Sequence, residues 1–113
     1  MQGASGEAIE SFIASLWLED GLADNTREAY RRDLSLLAAW LPSQGLDNID
    51  LVTEPHLLAY VAERHAATRA TTANRRLTVF KRYYRWALRE RRVNADPTLR
   101  LVSAKQAMRV PKT

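Results

Sequence analysis

The chain has 113 residues, enough for one domain with a single core and too few for a second independent unit. Its 46% hydrophobic and 27% charged residues are typical of a globular protein, and no apolar run approaches the roughly 20 residues of a membrane helix. With no cysteine, disulfides and thiolate metal sites are excluded, and neither histidine belongs to a carboxylate cluster. We therefore expect a cytoplasmic protein with no metal, cofactor, small-molecule substrate or membrane partner.

The net charge of +4 conceals an uneven distribution along the chain. Residues 1–63 contain three basic and eleven acidic residues, a net charge of −8. Residues 64–113 contain fourteen basic and two acidic residues, a net charge of +12. A basic half on an otherwise acidic domain is typical of a polyanion-binding face, although a solvated basic surface would give the same composition.

The first predicted element is a helix over residues 7–19, ended by Gly21. Residues 1–6 have no features of a secretory signal and are predicted to be a flexible or appended lead. Apolar residues in the helix recur at the spacing of one buried stripe, namely Ile9, Phe12, Ile13, Leu16 and Trp17.

A second helix is predicted to start near Thr26, because Asn25 and Glu28 have the spacing of a capping box. Pro42 and Gly45 end this helix. Its predicted buried stripe is Tyr30, Leu34, Leu37 and Leu41.

The third helix is predicted to begin at Thr53, Glu54 and Pro55, since proline suits the first turn of a helix. Its predicted core residues are Leu57, Leu58, Val61 and Ala62. In a long fourth helix, capped by Thr71 or Thr72 and ending near Arg92, the predicted stripe is Leu77, Phe80, Tyr84 and Leu88.

The domain is expected to span residues 7–100, and the basic stretch 101–113, which has no periodic apolar face, is expected to be a linker. Asp96-Pro97 separates this stretch from the fourth helix, because the residue before a proline disfavours helical conformation. Four helices with short connections and no alternating strand pattern predict a small all-α bundle.

Three groups of motifs carry a resemblance to a known family. LWLE at residues 16–19 and NTREAYRRDL at 25–34 resemble the start of Xer-type tyrosine recombinases of the phage integrase family. TTANRRLTVF at 71–80 is similar to that family's fourth core-binding helix. NADP at 94–97 and VPK at 110–112 resemble the linker into the catalytic domain. The resemblance covers residues 7–112.

The resemblance implies a SAM-like N-terminal core-binding domain, a small orthogonal bundle of four to five helices whose second and fourth helices face duplex DNA. Its implied partners are a double-stranded recombination half-site and other recombinase protomers on paired sites. The implied role is DNA recombination, of the XerC and XerD type that resolves chromosome dimers before cell division. The family's catalytic residues would lie beyond Thr113, so this chain is expected to bind DNA without cleaving it.

On the second helix, Arg27 and Arg31 stand one turn apart and are predicted to point together away from the core, where both could reach phosphates. Thr26 and the first-turn amides would add donors at a helix N-terminus. The alternative is a capping threonine with solvated arginines that pair with Asp24 or Glu28.

The fourth helix carries the strongest candidate for a groove-facing surface, with contacts expected mostly to phosphates. Its outward residues have helical spacing, and no acid between Arg64 and Arg89 would balance their charge. The alternative is an ordinary soluble helix exterior. The predicted contact residues are Arg75, Thr78 and Arg82, flanked by Asn74, Lys81 and Arg85.

The four tyrosines are interpreted as structural, because they lack the basic surroundings that stabilise a transferring phosphoryl group. The three tryptophans lie on or beside apolar stripes and are expected to be core residues. Both histidines lie near the ends of the third helix, where a solvated or capping histidine is expected. Three other functions stay open: a protein-assembly module using the first helix and Trp17, the corresponding domain of a phage or integron integrase, and a helix-turn-helix regulator.

Overall fold

The computed structural model describes residues 3–65 and 69–101, and all regular structure in these two ranges is helical. The α-helices are α1 (Gly3–Ser15), α2 (Asp24–Trp40), α3 (Glu54–His65) and α4 (Ala70–Arg89). A π-helical turn (Leu16–Asp20) extends α1, and two short 3₁₀ turns (Leu41–Gln44 and Ile49–Leu51) lie between α2 and α3. The all-α prediction is confirmed.

The start of α1 lies at Gly3, four residues before the predicted start. Ser5 is buried, and its hydroxyl oxygen accepts a hydrogen bond from the backbone N–H of Ile49 at 2.8 Å. Residues 3–6 are therefore part of the helix and not a lead preceding it. Residues 1 and 2 lie outside the described ranges.

The end of α1 differs from the predicted buried stripe at one position. Leu16 is buried, but the next residue, Trp17, is 56% exposed, so the prediction that Trp17 belongs to the core is wrong. Both residues lie in the π-helical turn, whose wider hydrogen-bonded loop interrupts the 3.6-residue period on which the prediction depends. Gly21 then ends the helix at a φ of 63°, a left-handed conformation that favours glycine.

The N-terminus of α2 is not formed by the predicted capping box. Ala23 is the N-cap residue, and Asp24 is the first helical residue. Asn25 therefore lies inside the first turn and is exposed, while Glu28 binds Arg31 instead of closing a box. The negative charge of Asp24 in the first turn is favourable near the positive end of the helix dipole.

The core stripe of α2 is confirmed, because Tyr30, Leu34, Leu37 and Leu41 are all buried. In α3 the stripe is rotated from its predicted position. Leu57 and Tyr60 are fully buried and Val61 is half-buried, whereas Leu58 is 49% exposed. Ala62 is also exposed, so both of these predicted core positions are wrong.

In α4 the predicted threonine cap is wrong, because Arg69 is the N-cap residue and makes no side-chain capping bond. Leu77, Phe80 and Tyr84 are buried as predicted, whereas Leu88 is 42% exposed. The buried surface of α4 is wider than one stripe of residues. The further buried apolar residues are Ala73, Val79, Tyr83, Trp86 and Ala87.

The C-terminus of α4 stops the helix at Arg89 instead of near Arg92. The N–H of Arg92 donates to the carbonyl of Ala87 at 2.8 Å, and the N–H of Arg91 donates to Leu88 at 3.1 Å. This pair of bonds is a Schellman motif, and Arg91 adopts the required left-handed conformation with a φ of 63°.

The segment after α4 packs back onto the domain. Thr98 is buried, and its backbone N–H donates to Asp96 Oδ1 at 2.8 Å. Leu101, where the linker is predicted to begin, is buried in the same core as the four helices. The packed domain thus includes Leu101, and the rest of the predicted linker lies outside the described residues.

Candidate nucleic-acid interface

The residues of α4 that the sequence predicts to contact DNA all lie on the outward side of this helix. Thr78 and Arg85 are exposed, and the others are half-buried at its edges. Their spacing places them on one side of the helix, opposite the buried Leu77, Phe80 and Tyr84. We call this surface the α4 face; it consists of Asn74, Arg75, Thr78, Lys81, Arg82 and Arg85.

Arg75 is joined to α2 by a two-pronged ion pair with Asp33. Its Nε donates to Asp33 Oδ2 at 2.9 Å, and its Nη2 donates to Asp33 Oδ1 at 2.9 Å. The side chain of Arg75 is 38% exposed, whereas Asp33 is only 2% exposed. This hydrogen bond raises the pKa of Arg75 above its ordinary value. Arg75 remains a cation, and the buried carboxylate fixes its position.

Arg82 lies two turns further along α4 and is held from two sides. Its Nη2 donates to Asp20 Oδ2 at 3.2 Å, at the end of the π-helical turn. Its Nη1 donates to the hydroxyl of Tyr30 at 3.3 Å. Arg82 therefore ties α4 to both α1 and α2.

Lys81 lies on the other edge of the α4 face. Its Nζ donates to the backbone carbonyl of Thr98 at 2.7 Å, and Lys81 is half-buried. A carbonyl does not neutralise an ammonium group, so the positive charge of Lys81 stays available at this edge. Since ammonium carries three donors, the contact with Thr98 leaves two of them.

The centre of the α4 face is formed by Thr78 and Arg85, whose side chains form no hydrogen bond or ion pair within residues 3–65 and 69–101. Arg85 borders an open cleft of about 300 Å³ between α4 and the end of α1. Arg89 and Glu19, which also line this cleft, form an ion pair at 3.2 Å. Arg85 is thus an exposed guanidinium with all its donors directed to solvent or a ligand.

The two α2 arginines lie apart from the α4 face. Arg31 donates to Glu10 from Nε at 2.9 Å and from Nη2 at 3.0 Å, and it also binds Glu28 through Nη1. At about 100° per residue, Arg31 lies roughly 160° around α2 from Asp33, on the side that faces α1. We call the group of Glu10, Arg27, Glu28 and Arg31 the α1–α2 flank.

Arg27 is held in the same way on this flank. It binds Asp24, donates from Nε to the carbonyl of Leu22 at 3.1 Å, and lies 5.0 Å from the ring centre of Trp17. The ion pairs of the alternative interpretation, with Asp24 and Glu28, are observed, and the contact of Arg27 and Arg31 with phosphates stays a prediction. Thr26 is half-buried on the side of α2 nearer to Asp33.

The acids that balance the positive charge of α4 lie on other elements of the bundle, so the sequence of α4 itself does not reveal them. No acid lies between Arg64 and Arg89 in the sequence. Asp20 and Asp33, which are distant in the sequence, reach the α4 arginines across the bundle. One signal was present in the sequence. Asp33 directly precedes Leu34 on the buried stripe of α2, and a carboxylate at such a position requires a cationic or hydrogen-bonding partner.

The tyrosines are all buried. The hydroxyl of Tyr83 donates to Asp50 at 2.6 Å, and that of Tyr84 donates to the carbonyl of Ile49 at 2.7 Å. Burial raises the pKa of Tyr83 and of Tyr84, and for Tyr83 the bond to Asp50 adds to this effect. Tyr83 and Tyr84 therefore join α4 to the 3₁₀ turn Ile49–Leu51.

The described residues contain neither a metal-binding cluster nor a membrane-spanning helix. Within residues 3–65 and 69–101, no three histidine or acidic side chains are grouped so that they could hold a metal ion. In the same ranges, every helix is too short or too polar to cross a membrane. His56 instead accepts a hydrogen bond at Nδ1 from the backbone N–H of Thr53 at 3.0 Å, at the start of α3.

Comparison with known protein families gives a match over most of the chain. Residues 9–91 match the family described as phage integrase, N-terminal SAM-like domain. This range contains the described parts of all four helices except the first six residues of α1.

Individual relatives match over nearly the whole chain. Tyrosine recombinase XerD of Ralstonia nicotianae is 56% identical over 97% of this chain and 35% of its own length. XerD of Proteus mirabilis is 40% identical over 92% of this chain and 33% of its own length. XerC of Xanthomonas campestris is 31% identical over 96% of this chain and 34% of its own length. The chain thus spans about a third of the length of these curated relatives.

Proposed function

Because the chain belongs to the family of phage integrase N-terminal SAM-like domains, we propose that it binds double-stranded DNA as the DNA-binding part of a tyrosine recombinase. The α4 face makes the contact, and the chain binds a recombination half-site without cleaving it. Its biological role is DNA recombination in the manner of the XerD and XerC relatives.

The observation that carries this proposal is the composition of the α4 face. Four of its six residues are cationic, and the carboxylates that pair with Arg75 and Arg82 lie on neighbouring helices at its edge. An α-helix fits the major groove of B-DNA, and cations on its outward side reach phosphates and base edges. The central position of Arg85 gives the face a charge that no acid in the described ranges pairs with.

The experiment is fluorescence anisotropy of the full 113-residue chain with two duplexes at several salt concentrations. One duplex carries a half-site recognised by the XerD-type recombinases, and the other carries the same bases in scrambled order. We expect tighter binding to the half-site and a steep decrease of affinity with salt, because cations that contact phosphates release counterions.

The absence of binding to either duplex at low salt would contradict the proposal. It would favour a second function, assembly with other protomers, which one observation supports. Trp17 and Leu18 at the end of α1 are 56% and 77% exposed, an apolar pair that could lie in a protein interface. Light scattering without DNA separates the two functions, since only the second predicts self-association of the chain alone.

A further inference from the structure

We propose that Arg75 reads a guanine in the major groove and that Asp33 is the residue that positions it for this contact. The inference rests on the proposed function, since it names how the same α4 face selects a sequence. The observation behind it is the geometry of the Arg75–Asp33 pair, in which a buried carboxylate holds only one side of an exposed guanidinium.

The guanidinium of arginine has five N–H donors arranged in a planar fork. Asp33 accepts from Nε and from Nη2, which together form the side of the fork. The end of the fork, made by Nη1 and the second N–H of Nη2, forms no hydrogen bond with any described residue. Arg75 is 38% exposed, so this free end is accessible.

A free end-on pair of donors matches the two acceptors of guanine, O6 and N7, which arginine binds in a bidentate manner. Arg75 is the sixth residue of α4, and residues near the N-terminus of a groove-bound helix are those that contact base edges in recognition helices. The position and the free donors of Arg75 therefore suit base reading.

The charge of the pair favours a base over a phosphate. Asp33 places a full negative charge 2.9 Å from the guanidinium nitrogens, so the pair as a whole is neutral. A neutral pair releases few counterions on a phosphate, whereas directed hydrogen bonds to an uncharged base edge remain. Asp33 is also buried under Arg75, which keeps its carboxylate away from the DNA backbone.

Arg82 shows the opposite arrangement on the same helix. Its two Nη groups are occupied by Tyr30 and Asp20, so the end of its fork is already used within the protein. A bidentate contact of Arg82 with a base would therefore compete with these two contacts.

The test starts with selection of tightly bound duplexes by the full chain from a pool randomised over roughly one helical turn, about 10 base pairs. We expect enrichment of guanine at one position. Replacement of that guanine by 7-deazaguanine, which lacks the N7 acceptor, should weaken binding by about 5-fold or more. In R75M, which has no donor to offer to the base, the same replacement should have no effect.

Two further variants separate positioning from folding. D33N removes the negative charge and should reduce the guanine preference several-fold while binding to a scrambled duplex is equal or tighter. A merely structural role of Asp33 would instead weaken binding to all duplexes alike. R31K, which changes the α1–α2 flank and not the α4 face, should keep the guanine preference, and thermal unfolding confirms that each variant is folded at the temperature of measurement.

A guanine preference that survives in both R75M and D33N would overturn the inference and leave DNA binding intact. Failure of the wild-type chain to bind any duplex would instead refute the proposed function. The two failures are therefore distinguishable by the same set of titrations.

Discussion

The α4 face and the α1–α2 flank both carry arginines that the sequence predicts to bind phosphates, yet the structure uses them differently. On the flank, Arg31 is surrounded by Glu10 and Glu28, two exposed acids that neutralise it. On the α4 face, the acid that pairs with Arg75 is buried, and Arg85 has no partner among the described residues. The two surfaces therefore differ in how their arginines are partnered, and only on the α4 face does an arginine have no acidic partner among the described residues.

The largest difference between the two regions should be in stability. R75A would leave the carboxylate of Asp33 buried without a partner, and we expect a loss of about 2 to 3 kcal/mol in the free energy of unfolding. This range lies below that of a fully buried pair, because Arg75 is itself partly exposed. R31A removes exposed contacts only and should cost less than about 1 kcal/mol. Urea denaturation of the full chain measures both.

The control for this comparison is the double variant D33A/R75A. It removes the lone buried charge, so it should recover part of the stability that R75A loses. Equal losses in R75A and R31A would show that the burial of Asp33 has no energetic consequence, and the contrast between the regions would disappear.

The success of the sequence analysis followed from periodicity. The stripe of Tyr30, Leu34, Leu37 and Leu41 was predictable because α2 is a regular helix whose apolar residues keep one spacing throughout. Trp17 was not predictable, because a π-helical turn changes the spacing at that point, and nothing in a periodic pattern announces such a turn.

The candidate site was predictable only within one helix. The α4 face follows from the spacing of its residues, and the structure brings all six together. Its ion pairs depend on contacts between residues far apart in the chain, such as the 42 positions that separate Asp33 from Arg75. Local capping signals also failed at Asn25, because helix ends are adjusted by tertiary contacts that a short motif does not contain.

The second difference between the regions should appear in the salt dependence of DNA binding. Arg85 is exposed and without an acidic partner in the described ranges, so R85A should reduce the slope of log affinity against log salt by about 0.9, the value for one lost phosphate contact. R31A removes an arginine that two acids already neutralise and should leave the slope unchanged. Both variants lose one positive charge. If only the net charge of the chain mattered, the slope would change by the same amount in R85A and in R31A, and equal slopes would contradict the prediction.

The smallest expected effect is on acid stability and concerns the flank. The hydrogen bond from Arg31 lowers the pKa of Glu10 below its ordinary value of 4.5. A carboxyl group whose pKa is lower in the folded state stabilises the fold above its unfolded pKa, and this contribution is lost as the pH falls through the folded pKa. Because Glu10 is half-exposed, the contribution should stay below about 1 kcal/mol.

An NMR titration of the Glu10 carboxyl group measures this effect directly. In R31A the pKa of Glu10 should return toward 4.5, whereas in R85A it should keep its wild-type value because Arg85 belongs to the other surface. If the pKa of Glu10 is the same in the wild type and in R31A, the pair does not hold Arg31 in solution. Arg31 would then be as available to DNA as Arg85, and the cationic surface would extend from α4 onto α2.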